Sequence, residues 1–275
     1  EASIMDNRPV GVFDSGLGGL TAARKIRSIL PSEDIIYFGD TSRVPYGGRS
    51  REILLKYARQ DVRFLRSFDI KAIVVACGTV STTCLPQLQA ENDLPVLGVV
   101  EPACRRAVAV SKTRHVGLIA TAASVRSGTY EQIIHALDPD VTVTARACPL
   151  FVPLVENGRY ERGDVVIETV AREYLEPIRG SGIDTLILGC THYPLLMDLI
   201  GEIMGPEVTL IDTGEEAAWE LKRTLKAKDL LSDRAQEGTT TLYASDQPED
   251  FGLMAKHFLQ EELTSPVLQV NIDRY

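Results

Sequence analysis

Two segments roughly one hundred residues apart run from apolar residues into a thiol and then into small or polar residues, a repeat that few architectures accommodate. The first is Ile73-Val74-Val75-Ala76-Cys77-Gly78-Thr79 and the second is Leu186-Ile187-Leu188-Gly189-Cys190-Thr191-His192. Each reads as a buried strand ending at a turn into a helix. A second pair has a similar offset: Pro9-Val10-Gly11-Val12-Phe13-Asp14-Ser15 parallels His115-Val116-Gly117-Leu118-Ile119-Ala120-Thr121. Such a repeat predicts an internal duplication of an α/β unit.

The rest of the chain fits that plan. Val10–Phe13, Ile35–Phe38, Ile73–Ala76 and Val96–Val100 read as strands. Leu20–Leu30, stopped by Pro31, and Arg51–Phe68 have helical spacing. Strands alternating with helices predict right-handed βαβ units and parallel sheets. The expected fold class is therefore α/β, with two pseudo-symmetric parallel-sheet domains and an active site in the cleft between them. Beyond Cys190, Val208–Asp212 and Thr239–Tyr243 read as strands, and Glu215–Lys228 and Phe251–Leu263 as helices. This tail is expected to return to the first domain, which then comprises 6–100 plus 213–275, with 101–212 as the second. Hinges are expected near Glu101-Pro102 and Asp212-Thr213.

Size and charge narrow the function. A chain of 275 residues can form two moderate domains. A net charge of −9, with no Lys/Arg-rich run, argues against non-specific nucleic-acid binding and against an anionic membrane surface. No apolar stretch approaches a membrane span. Glu1 to Ile4, ahead of Met5, lack the basic region and apolar core of a signal peptide. They are expected to be an added remnant before a start at Met5. The five cysteines show no Cys-x-x-Cys spacing, which predicts free thiols in a reducing cytoplasm rather than a disulfide framework or zinc ribbon. Cys84, Cys104 and Cys148 read as packing residues, and no metal-spaced cluster stands out.

Cys77 and Cys190 are the candidates for chemistry. Carboxyl ends of parallel strands are where α/β sheets place ligands, and a helix N-terminus lowers a thiol pKa. Two thiols from two halves, facing one cleft, can act on opposite faces of one small molecule. Asp14, at the end of the first strand, can deprotonate or orient Cys77, or cap the helix after Gly16. Gly16-Leu17-Gly18-Gly19 permits close backbone approach but lacks a phosphate-loop pattern. His192, two residues beyond Cys190, can poise that thiol. Glu156 follows the apolar run Phe151–Val155, read as a loop. His115, His135 and His257 lack such context and read as structural or exposed. The turn Pro45-Tyr46-Gly47-Gly48 offers backbone N–H groups to a carboxylate. Thr79, Thr121 and Thr191 can bind a zwitterion or cap helices.

Taken together, Val12–Gly19, Phe38–Thr41, Pro45–Gly47, Ala76–Thr79, Phe151–Glu156 and Leu188–Pro194 resemble the cofactor-independent two-cysteine aspartate/glutamate racemases, most closely the glutamate racemases. The matching stretches span residues 10–213 in the expected order. The resemblance implies a two-base reaction in which one thiolate removes the α-proton of glutamate and the other thiol returns a proton from the opposite face. Cys77 and Cys190 take the acid/base positions. Asp14 assists the first, and His192 and Glu156 lie near the second. Substrate contacts map to Asp14, Ser15, Tyr46, Gly47, Gly78, Thr79, Thr121, Thr191 and His192. The resemblance further implies no pyridoxal phosphate and no metal, D-glutamate made for peptidoglycan in a bacterial cytoplasm, and a homodimer as in many members. One position departs from the family, which commonly has Asn where this chain has Gly78. Any substrate contact there comes through backbone or water.

Three other readings remain open from the residues. One is an aspartate racemase, separated from a glutamate racemase by cleft size. Another is a non-catalytic two-lobed binding protein. The third is a redox role for the thiols, weakened by the absence of Cys-x-x-Cys.

Overall fold

The computed structural model describes residues 6–275, so the expectation for Glu1–Ile4 lies outside the described residues. Ten strands form among them: β1 (Val10–Asp14), β2 (Ile35–Gly39), β3 (Ala72–Val75), β4 (Val96–Leu97), β5 (His115–Ala120), β6 (Thr142–Ala147), β7 (Thr185–Gly189), β8 (Thr209–Asp212), β9 (Thr240–Ala244) and β10 (Leu268–Gln269). β1, β2, β3 and β7 are buried at every position, as strands covered by helices on both faces must be. That double burial is why their sequences are continuous apolar runs.

Two sheets result, with strand orders β10-β9-β2-β1-β3-β4 and β6-β5-β7-β8. Every pairing is parallel. Setting β1 against β5 makes β2-β1-β3-β4 of the first sheet correspond strand for strand to β6-β5-β7-β8 of the second. In each half the first and third strands lie side by side, where the strand order reverses. That is where open α/β sheets form a crevice. Cys77 follows β3 and Cys190 follows β7, so the thiols occupy equivalent places.

The tail joins the first sheet: β9 pairs with β2 in register from Ile35↔Thr240 to Gly39↔Ala244. The two halves share one apolar core, which contains Val12 and Val74 of the first sheet, Leu118 and Leu186 of the second, and Leu221 from helix Thr213–Ala227. No extended linker separates them. Glu101 and Pro102 lie in the first turn of helix Val100–Val110. Asp212 ends β8 and caps helix Thr213–Ala227, accepting from the N–H groups of Gly214 (2.9 Å) and Glu215 (3.3 Å). Both expected hinge points are thus strand-to-helix junctions.

Several elements differ from the sequence reading. The fourth strand is only Val96–Leu97, because Gly98 and Val99 turn the chain into a helix at Val100. The last helix starts at Pro248, suited to a first turn, and ends at Leu259. Phe151–Glu156, read as a loop, is a short helix. Among the described residues, no helix is long and apolar enough to cross a membrane.

Candidate active site

Asp14 closes β1 and is buried. Its Oδ2 accepts from the N–H groups of Gly16 (3.2 Å) and Gly19 (2.9 Å), so it does cap the turn into helix Leu20–Ile29. Its Oδ1 is buried with no hydrogen-bond partner. Burial raises the Asp14 pKa, opposed by the nearby His192 charge and by the N–H groups of Gly19, Gly16 and Ser15. One oxygen thus holds the loop, and the other is left without a partner.

Cys77 lies two residues past the end of β3, in extended backbone, and is the N-cap of helix Gly78–Thr83. Burial raises its pKa strongly and the Asp14 carboxylate adds to this, while hydrogen bonds from the backbone of Val80 and Thr79 oppose both. Burial and the Asp14 charge thus make a thiolate costly here. A cationic ammonium group brought by a ligand would offset that cost.

The Cys190 turn is built differently. Cys190 directly follows β7, but the next helical element is a 3-10 turn, Tyr193–Leu196, with His192 as its N-cap. The expectation that both thiols sit at helix N-termini therefore fails for Cys190, because Pro194 and the intervening Thr191-His192 displace the helix start. His192 takes over the polar role. Its Nδ1 faces Cys190 Sγ at 3.8 Å and Thr191 Oγ1 at 3.3 Å, and its Nε2 meets Glu156 Oε1 at 2.9 Å. Burial alone would lower the His192 pKa. Hydrogen bonds with Cys190 and Glu156 outweigh it and raise the value to about 10. Glu156 is the last residue of helix Phe151–Glu156 and remains partly exposed.

These groups line one cavity of about 370 Å3. Asp14, Ser15, Tyr46, Gly47, Cys77, Gly78 and Thr79 reach it from the first half, and Thr121, Glu156, Cys190, Thr191 and His192 from the second. The halves touch around its rim. Thr79 Oγ1 and Thr121 Oγ1 are 3.0 Å apart, and Gly47 accepts from the Ala123 N–H at 3.1 Å. Thr121 also caps helix Ala122–Ser127 through the Ser124 N–H.

Tyr46 needs a finer account. Its phenol is buried and bonded to Asp40 and, at 3.0 Å, to Asp61. Arg43 joins both carboxylates, at 2.6 Å to Asp40 and 3.1 Å to Asp61. The hydroxyl therefore anchors the loop from behind and is not free for a ligand. Sequence reasoning missed this network. Cys148, read as a packing residue, is fully buried in the apolar core, and it also borders the cavity after β6, which sequence reasoning did not foresee. Burial pushes that thiol up to about 12. Its place after a strand end was the available signal. Cys84 and Cys104 are buried away from the cavity, His115 bonds Thr144, and His135 and His257 are exposed. Among the described residues, no group of three or more His, Cys, Asp or Glu side chains is placed to hold a metal ion.

Comparison with known proteins bears on the family and the fold. The chain is 45% identical to a glutamate racemase of Geobacter metallireducens, over 97% of each chain. It is 41% identical to that of Thermoanaerobacter pseudethanolicus, over 98% of this chain and 100% of the other. Among solved structures, a glutamate racemase isoform from Bacillus anthracis superposes with a TM-score of 0.92 at 37% identity, covering 96% of this chain and 98% of that one. The enzyme from Francisella tularensis, solved with D-glutamate, gives 0.89 at 38% identity, covering 98% and 100%. The family model for Asp/Glu/Hydantoin racemase matches residues 24–221. A match over that span, with relatives aligned almost end to end, shows that this chain belongs to the Asp/Glu/hydantoin racemase family.

Proposed function

We propose that this chain interconverts L- and D-glutamate by a two-base reaction, with Cys77 and Cys190 as the acid/base pair. The observation that carries this is the approach of two thiols, from equivalent strand ends of two halves, to one cavity. The substrate follows from the relatives, which are glutamate racemases, one of them solved with D-glutamate.

An α-proton is weakly acidic, so a thiolate removes it only if the carbanion is stabilised. In this reading the Tyr46–Gly48 turn beside the cavity offers backbone N–H groups to the substrate carboxylate, while those of Thr79 and Val80 serve the Cys77 sulfur. Asp14, whose Oδ1 has no partner and whose charge acts on Cys77, serves as proton acceptor on that side in this reading. On the other face, His192 as imidazolium, held by Glu156, exchanges a proton with Cys190 or balances charge on its sulfur. The abstracted proton resides on one sulfur while the opposite thiol protonates the carbanion, so the configuration inverts without change of oxidation state. Ser15, Gly78, Thr79, Thr121 and Thr191 complete the wall around the zwitterion.

In this reading the enzyme acts in a bacterial cytoplasm, supplies D-glutamate for peptidoglycan and assembles as a homodimer. Polarimetry on each enantiomer of glutamate and of aspartate, without added cofactor, tests the substrate: glutamate should racemise far faster than aspartate. Faster aspartate turnover, or ligand binding with no turnover, contradicts the proposal. Light scattering tests the assembly.

A further inference from the structure

The turn bearing Cys190 belongs to the second half of the chain, yet it rests on two glycines of the first. A β-carbon at Gly18 would lie 2.5 Å from Nδ1 and 2.6 Å from Cε1 of His192, and closer still to the Thr191 hydroxyl. A β-carbon at Gly78 would lie 2.6 Å from the carbonyl oxygen of Gly189. Neither glycine has the positive φ that would explain its identity by backbone conformation. Close approach is the remaining reason. Gly19, beside Gly18, is as tight, but against Asp14 and Tyr37 of its own half, whereas Gly18 and Gly78 are the two whose β-carbons would meet residues 189–192. Between them, the Thr21 hydroxyl shares its hydrogen between the carbonyls of Gly18 and Thr191, each at 2.9 Å, and so bridges the two. Residues 189–192 are thus held against the first half at both ends and in the middle.

We propose that Gly18 is a positioning residue for the second acid/base set. The face it leaves bare seats Thr191 and His192, so that Nδ1 faces Cys190 while Nε2 reaches Glu156. Gly78 lies against the start of the same turn. Cys190 and His192 are therefore aligned only while the two halves are docked, whereas Cys77 and Asp14 are aligned by the first half alone. This inference rests on the racemase reading for its consequence in turnover, but its geometry can be tested without turnover.

The test uses the full chain with Gly18→Ala and Thr21→Val. Alkylation of Cys77 and Cys190 by iodoacetamide is followed by mass spectrometry from neutral to alkaline pH. In Gly18→Ala the Cys190 profile should shift while that of Cys77 stays as in the unmodified protein, which also reports that the chain is folded. If Gly18→Ala fails to fold, the milder Thr21→Val carries the same comparison. An unchanged Cys190 profile overturns the proposal.

A second readout needs only one base. Removal of the α-proton from 3-chloroglutamate, with loss of chloride, gives the α,β-unsaturated amino acid, which hydrolyses to 2-oxoglutarate and ammonium. Each configuration at Cα offers its hydrogen to one thiol. Gly18→Ala should slow elimination from one configuration by roughly a hundredfold, as misplacement of an aligned group does, and leave the other near its original rate. Equal loss from both, or from neither, contradicts the seating role. Inactivity of the unmodified chain on glutamate contradicts the racemase reading instead, and the alkylation profiles still decide the seating.

Discussion

His192 and Glu156 lie 36 residues apart in sequence and 2.9 Å apart in space, with the imidazole buried and the carboxylate half-open to the cavity. The pairing gives the Cys190 side of the site a cation, where the Cys77 side has a carboxylate. The halves repeat each other in strand order, but the environments of their thiols differ. Cys77 has a neighbouring carboxylate and a helix N-terminus, and Cys190 has a histidine held by a carboxylate.

The raised pKa of His192 predicts a pH effect on stability. In the unfolded chain this histidine titrates near its ordinary value of 6.5, and in the folded chain near 10. The folded state holds the proton more tightly, so the contribution is full below the lower value and is lost as pH rises through the upper one. Glu156→Gln removes one of the two partners. Its thermal unfolding should lose less stability across that window than the original chain, by about 1–3 kcal/mol. Parallel curves for the two proteins would contradict the assignment.

Asp14 separates activity from stability. Burial raises its pKa, so the ionised form costs stability at neutral pH. Asp14→Asn keeps an oxygen for the Gly16 and Gly19 N–H groups and removes the charge. Denaturant unfolding at neutral pH should show equal or greater stability, while kcat falls about 10²–10⁴-fold. A destabilised variant with near-normal kcat would assign Asp14 to capping alone.

Arg43 pairs with two buried carboxylates behind the Val44–Gly48 turn, and burial, then Asp40, push the Asp61 pKa well up against the pull of Arg43. Arg43→Met leaves Asp40 and Asp61 without their cation. Breaking a buried pair on one side costs about 3–5 kcal/mol. Urea unfolding should show that loss, with a raised KM because Tyr46 anchors the cavity turn through the same carboxylates. The double variant Arg43→Met with Asp61→Asn should recover part of the stability. Loss of less than about 1 kcal/mol in the single variant would contradict the network, since that is the scale of an exposed pair.

What the sequence revealed follows from where the signal is local. Asp14, Cys77 and Cys190 end apolar runs, and a fully buried strand announces its own end. Contacts across elements leave no such mark. Asp61 reads as one more polar residue of an amphipathic helix, although it is buried against Arg43 and Tyr46. β6 is half-exposed and polar, Thr-Val-Thr-Ala-Arg-Ala, so no apolar run advertised it or the place of Cys148 beside the cavity. β10 is two exposed residues and has no pattern to detect. The short helix ending at Glu156 has Pro153 inside it, which suggests a turn until Phe151 and Val155 are seen to bury one face.

The central claim is that both sulfurs act on one carbon. Proton NMR of L- and D-glutamate in deuterated water, with purified protein and no added cofactor, follows loss of the α-hydrogen signal from each enantiomer. The intact chain should exchange and racemise both. Cys77→Ala and Cys190→Ala should each abolish racemisation. Turnover by either variant at the rate of the intact chain would contradict the account.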